Sequence, residues 1–230
     1  WGLSVRHGSF SPLLLTHANG CFKMPEEISF VDGSIISCGG GTAYHCLVKL
    51  GVGADDIVAV FGLGPVGLSV LMFAKAMGAK VIGVEPIEER QQLSEKLGAD
   101  TVLDPTKVSI VQNLKALTNG KGPMVAIDCS GNSEARSYAL NCVRPFGRVA
   151  FIGMGAREMK IDGGIFSATD ITLTGNHVFN VKYYDRIVNL MINRGLHLDA
   201  MTTHNYSLDE VEEAFKVFDS GKSGKVTFIP

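Results

Sequence analysis

The chain carries almost no excess charge: 21 Lys and Arg stand against 23 Asp and Glu, a net charge of -2 over 230 residues. A nucleic-acid binder normally shows a broad basic field, so this balance excludes polyanions as expected partners. No apolar run approaches the roughly 20 residues that span a bilayer, and no membrane association is expected. No secretory leader is recognisable. The cysteines number five, an odd count without a paired framework, which fits reduced thiols in the cytoplasm better than disulfides. Internal repeats and low-complexity segments are lacking too. Residues Trp1 to Phe10 resemble no initiator region, so the chain is expected to be a piece of a longer protein.

Apolar residues are ample, at 46%, and the length lies between one large domain and two ordinary ones. Glycine is abundant: 27 residues, about 12% against the usual ~7%. It falls singly and in pairs between apolar runs, as punctuation. From Asp55 onward six short runs read as strands: 57–61, 81–84, 101–103, 124–128, 148–152 and 171–174. Most are apolar at consecutive positions, as strands buried on both faces must be. Helical segments lie between them. One follows Pro86 through Arg90, Leu93 and Leu97 to Gly98; another opens at Ser133 and ends before Pro145 and Gly147. Strands alternating with helical crossovers predict an α/β fold, a doubly wound six-stranded parallel sheet of the Rossmann type.

After Gly175 two helices and a closing strand are expected. Ile187, Leu190 and Met191 line one face of the first, which stops at Gly195. Ser207 and Glu210 make a capping box for the second, through Val211, Ala214, Phe215 and Phe218 to Gly221. The stretch up to Ser37 has no complete core of its own. Both ends therefore read as remnants of a second domain, with divisions at 1–39, 40–177 and 178–230.

The strongest motif is Gly62-Leu63-Gly64-Pro65-Val66-Gly67, after the strand ending at Phe61 and before the helical run Leu68 to Met77. Gly62 allows a sharp turn, Gly64 lacks the Cβ that would hold a pyrophosphate away, and Gly67 lets the helix pack close on the sheet. The helix N-terminus offers free N–H groups and partial positive charge to phosphates. Glu85, 18 residues past Gly67, ends the second strand, where a carboxylate can accept the adenosine ribose hydroxyls. It would repel a 2′-phosphate, and neither Pro86 nor Ile87 supplies the cation NADP binders place there, so NAD is expected over NADP. The bland alternative is a glycine-rich turn that binds no dinucleotide.

The glycine motif with Leu68-Ser69-Val70, together with Cys38-Gly39-Gly40-Gly41-Thr42-Ala43-Tyr44, resembles the zinc-dependent alcohol dehydrogenases of the medium-chain dehydrogenase/reductase superfamily. The resemblance runs from about Asn19 to Pro230. It implies that the second domain is a barrel-like catalytic domain, that Cys38 is a ligand of the catalytic zinc and that Thr42 lies beside the nicotinamide and the reacting alcohol. It also implies that Val66 backs the nicotinamide, Arg90 lies along the adenosine and Lys225 reaches the pyrophosphate. Ser130, in Asp128-Cys129-Ser130-Gly131, and Ile152 and Met154, in Ile152-Gly153-Met154-Gly155, mark strand ends over which the cofactor lies. A homo-dimer or homo-tetramer is implied as well.

The resemblance departs where the family's other zinc ligands and its structural-zinc lobe should be, for none of them is in the chain. A catalytic zinc needs three protein ligands and an open position, so zinc is expected only in the intact protein, and the chain alone is expected to be inactive. His45 and Cys46 read as helix packing. Cys21, Cys129 and Cys142 lack metal-like spacing, and His7, His17, His177, His197 and His204 are scattered without a neighbouring ligand pair, His204 in a loop. Glu88 would add to the repulsion of NADP. The leading reading is an NAD-dependent alcohol or polyol dehydrogenase acting on a small alcohol or carbonyl compound. The alternatives are a zinc-free reductase of the same superfamily, acting on quinones or enoyl thioesters, and a dinucleotide-binding fragment without catalysis.

Overall fold

The computed structural model describes residues 10–156 and 158–229; the expectations that rest on residues 1–9, His7 among them, lie outside these. Six strands form one parallel sheet: Ile57–Phe61 (β1), Lys80–Val84 (β2), Thr101–Leu103 (β3), Val125–Asp128 (β4), Arg148–Phe151 (β5) and Thr172–Gly175 (β6). Their order, β3-β2-β1-β4-β5-β6, is that of the Rossmann fold and places the reversal of strand order between β1 and β4. The register aligns Phe61 with Val84 on one side and with Asp128 on the other, so three strands end together at this crevice.

The apolar strand runs fold this way because both faces are covered. Val58 and Val60 enter one core while Ala59 and Phe61 enter the other, as side chains alternate across a strand. On the faces lie Pro65–Ala76 (α3), Glu88–Lys96 (α4), Ile110–Ala116 (α5), Ser133–Cys142 (α6) and Gly164–Thr169 (α7). Asn132 caps α6, its side chain accepting from the N–H groups of Glu134 and Ala135.

Before the sheet runs a nearly continuous helical stretch: Phe30–Ile35 (α1), a π-helical turn at Ile36–Gly40, then Gly41–Lys49 (α2). Ser29 caps it by accepting the Asp32 N–H at 3.0 Å. The division expected after residue 39 falls inside this stretch. After the sheet, Tyr184–Arg194 (α8) ends at Gly195 with φ of 58°. Thr202–Tyr206 (β7), Val211–Asp219 (α9) and Lys225–Phe228 (β8) then form a βαβ unit whose strands pair in parallel. The capping box of Ser207 and Glu210 is present.

Strand β7 corrects the reading of His204 as a loop residue. Its sequence, Thr-Thr-His-Asn-Tyr, is polar because the two-stranded sheet leaves most of it exposed, so the apolar run that signals a buried strand is missing. Along α2, Cys46 is fully buried and His45 Nδ1 lies 3.3 Å from the Val178 carbonyl, the packing roles expected of both.

Candidate cofactor site

The three motif glycines do different work. Gly62 turns out of β1 at φ of +85°, and a Cβ there would meet Ser130 Cβ at 2.8 Å. A Cβ on Gly67 would sit 1.9 Å from the Gly62 carbonyl oxygen. Both are therefore required by the fold. Gly64 is not: its φ of -71° and ψ of -175° suit any residue, and the nearest atom to an added Cβ is Arg90 Nη1 at 3.8 Å. Its missing side chain leaves open space above the start of α3. No side chain caps that helix, and the first N–H groups of a helix have no partner within it, so those of Val66 and Gly67 lack an intrahelical acceptor.

That space is part of a cleft of about 600 Å³ at the crevice between β1 and β4. Of the residues expected at the site, Gly62, Gly64, Pro65, Glu85, Arg90 and Ser130 line it. Glu85 is only 2% exposed. Its Oε2 accepts the Leu63 N–H at 2.7 Å and its Oε1 the Ile87 N–H at 3.1 Å, leaving one lone pair on each oxygen. Arg90 is held by its Nε–H donating to the Ser223 carbonyl at 3.1 Å.

The other expected residues stand away from the cleft lining. Leu63 is buried, its side chain filling the space over Gly83, so only its backbone faces the loop. Val66 lies on the opposite side of the glycine loop, toward the Cys38 turn: a Cβ on Gly39 would be 3.6 Å from Val66 Cγ2. The two motifs thus meet in space. Thr42 is 8% exposed, and its hydroxyl donates to the Cys38 carbonyl at 2.7 Å. Ile152 is half-buried and Met154 exposed, beyond β5. Lys225, in β8, lines a smaller cavity with Phe10, Phe215 and Phe228.

The loops after β4 and β5 are locked together. Buried Asp128 accepts from the Ser130 N–H and Oγ–H and forms an ion pair with Arg136 Nε at 3.0 Å. Arg136 also donates to the carbonyls of Ala156 and Gly153 at 2.6 and 2.8 Å. Glycine is needed at this junction, since a Cβ on Gly153 would lie 2.2 Å from the Gly131 nitrogen. Sequence reasoning missed Thr106, Asn132, Glu134, Tyr138 and Phe218, which also line the cleft. Of these, Asn132 carried a signal, as the residue before the helix opened at Ser133. Glu88, on α4, accepts from Gln92 and is not among the lining residues.

Cys38 is exposed within the π-helical turn, and among the described residues it belongs to no group of three metal-ligating side chains. One thiolate does not make the three-ligand set of a catalytic zinc. The histidines require a correction, because folding brings Asp32, which is remote in sequence, beside His197 and its near neighbour Asp199. Buried Cys46 and Cys142 have thiols pushed up to about 12 by desolvation, and burial raises Cys129 as well. No helix among the described residues is long and apolar enough to cross a membrane.

A Rossmann sheet whose open cleft sits on the glycine loop defines a dinucleotide-fold protein. Residues 65–193 match the zinc-binding dehydrogenase family, and the chain belongs to that family. It is 34% identical over 224 residues to an uncharacterized zinc-type alcohol dehydrogenase-like protein, YphC, of Escherichia coli (strain K12), covering 96% of this chain and 63% of that one. With L-threonine 3-dehydrogenase of Thermococcus kodakarensis the identity is 39% over 230 residues, covering 97% of this chain and 64% of the relative. Among solved structures, alcohol dehydrogenase TADH from Thermus sp. ATN1 superposes with a TM-score of 0.84 at 28% identity, covering 89% of this chain and 60% of that one. For 2R,3R-butanediol dehydrogenase from Bacillus subtilis the values are 0.83, 28%, 91% and 60%. The chain spans less than two thirds of the length of these proteins.

Proposed function

We propose that this chain is the cofactor-binding part of an NAD-dependent alcohol or polyol dehydrogenase that acts on a small alcohol or carbonyl compound. The observation that carries the reading is Gly64, a glycine that neither backbone conformation nor packing requires and whose bare Cα faces the cleft. When bound, NAD takes up a hydride from the substrate carbon or returns it. The names of the relatives, L-threonine 3-dehydrogenase and 2R,3R-butanediol dehydrogenase, support an alcohol substrate.

The chain's own residues bind and orient. The N–H groups of Val66 and Gly67 at the start of α3 hold the pyrophosphate, with Lys225 as a further cation. Arg90 lies along the adenosine. Glu85 accepts the ribose hydroxyls with its remaining lone pairs and repels a 2′-phosphate, favouring NAD over NADP. Ser130, Ile152 and Met154 border the cofactor at the ends of β4 and β5, Val66 backs the nicotinamide, and the Thr42 hydroxyl stands beside the reacting alcohol. These assignments rest on the resemblance together with the meeting of the Gly39 turn and Val66.

The zinc that the family name implies does not fit the described residues alone, because Cys38 is a single donor there. Cys38 would contribute one ligand once others join it. The isolation of Cys38 also favours a second reading, in which the chain binds dinucleotide without catalysis. We further assign residues 40–177 to the dinucleotide-binding domain, with 1–39 and 178–230 belonging to a catalytic domain. Five free cysteines support a reducing, cytoplasmic setting.

The test is a fluorescence titration of the chain with NADH and NADPH. The expected result is saturable binding with NADH the tighter by tenfold or more; failure of both to bind would remove the reading.

A further inference from the structure

Away from the cleft, α1 packs against a 3₁₀ turn at Leu198–Met201, which joins α8 to β7. At this contact one ligand atom each from Asp32, His197 and Asp199 lies within 4.8 Å of the other two. Asp32 is fully buried. Its Oδ1 accepts the Asp199 N–H at 2.8 Å, while its Oδ2 is buried without a hydrogen-bond partner. His197 Nδ1 lies 3.5 Å from that oxygen. The Asp199 carboxylate is oriented by the Ser29 hydroxyl, which donates to Oδ2 at 3.1 Å.

Burying a carboxylate oxygen without a donor is costly, and a bound cation offsets that cost. The 3.5 Å separation from His197 is longer than the roughly 2.7–3.2 Å of an N–H···O bond. It fits two neighbouring ligands of one tetrahedral ion, which lie about 3.3 Å apart when the bonds are 2.0–2.1 Å. An imidazole with two carboxylates is a donor set suited to zinc and its first-row neighbours. The His197 side chain is 59% exposed, leaving an entry path from solvent, and the third ligand, Asp199, is half-buried.

We propose that Asp32, His197 and Asp199 form a site for a divalent transition-metal ion of the zinc class, which ties α1 to the turn before β7. Cys38 is not one of its ligands. The site does not depend on the cofactor reading.

The experiment uses the full chain carrying Cys21→Ser and Cys38→Ser, which removes the two exposed thiols as competing zinc binders. After stripping with a chelator, it is titrated with Zn²⁺ by calorimetry and with Co²⁺ by visible absorption. The expected result is one equivalent bound with a Kd on the order of micromolar or tighter, and a tenfold or greater weakening in both His197→Gln and Asp199→Asn. Circular dichroism reports whether each variant is folded. If Asp199→Asn unfolds, His197→Gln decides, since its side chain is mostly exposed. Absence of saturable binding up to millimolar Zn²⁺, or equal binding in His197→Gln, would overturn the site and leave the histidine as a neighbour of Asp32 without a metal.

Discussion

The carboxylate of Glu85 and the backbone N–H of Leu63 share a 2.7 Å hydrogen bond that ties the end of β2 to the glycine loop after β1. The residue proposed to recognise the ribose therefore also braces the loop proposed to hold the phosphates. On that proposal, specificity and loop order are linked through one side chain.

Glu85→Ser should accordingly do two things. It leaves the Leu63 and Ile87 N–H groups without their acceptor, a loss of about 2 kcal/mol or more and roughly 4–8 °C in Tm for a chain of this size. It should also change the NAD/NADP affinity ratio by tenfold or more, through loss of the ribose contact and of the like-charge clash. Thermal melts and paired titrations measure both. A changed Tm with an unchanged ratio would keep the bracing role and remove the specificity role.

Arg136 and Asp128 make the other buried tie. Their side chains are 13% and 0% exposed, so Arg136→Met strands a buried carboxylate and should destabilise by about 3–5 kcal/mol. Asp128→Asn combined with Arg136→Met should recover part of that loss, because the unpaired charge is gone. Denaturant melts of the single and double variants decide it; additive losses would mean that the pair is not coupled.

The sheet was legible in the sequence because most of its strands carry short apolar runs closed by a glycine, a proline or an acidic residue, as at Phe61-Gly62 and Val84-Glu85-Pro86. Two-sided burial writes itself into the residues. Strand β7 was not legible, since a half-exposed strand such as Thr202–Tyr206 has no apolar run. Gly62, Gly64 and Gly67 could be placed on the loop from spacing, whereas their division into two that serve the fold and one that does not depends on what surrounds each Cα. The contribution of Thr106, Tyr138 and Phe218 to the cleft, like the meeting of Asp32 with His197, arises from tertiary proximity, which local sequence does not encode.

The thiols should separate by burial. Cys46 and Cys142, pushed up to about 12 by desolvation, stay protonated at pH 8 and hence unreactive. Cys21 and Cys38 are exposed. A chromogenic disulfide reagent at pH 8 should modify those two rapidly in the folded chain and all five in denaturant. Rapid modification of Cys46 or Cys142, located by peptide mass spectrometry, would contradict the packing described for α2 and α6.

Strand β6 is the outer strand of the six-stranded sheet beyond β5, with Thr172–Gly175 partly exposed. Open edges of this kind invite pairing, and pairing of two copies through β6 is the expected mode of association. Sedimentation at micromolar concentration should show a dimer, and Leu173→Pro should shift it toward monomer. Sedimentation as a monomer throughout would count against the edge.

Gly64→Ala tests the cofactor assignment most directly, because the two consequences of the substitution are separable. Its backbone conformation accepts alanine and the added Cβ meets nothing closer than 3.8 Å, so the melting temperature should stay within about 2 °C of the parent, the span expected for a change below roughly 0.5 kcal/mol. The same methyl group stands where the pyrophosphate must approach, so the Kd for NADH should rise tenfold or more. Gly67→Ala, whose Cβ would meet the Gly62 carbonyl oxygen, should instead lower the melting temperature sharply. An unchanged Kd for NADH in a fully folded Gly64→Ala variant would contradict the assignment of this cleft to a dinucleotide.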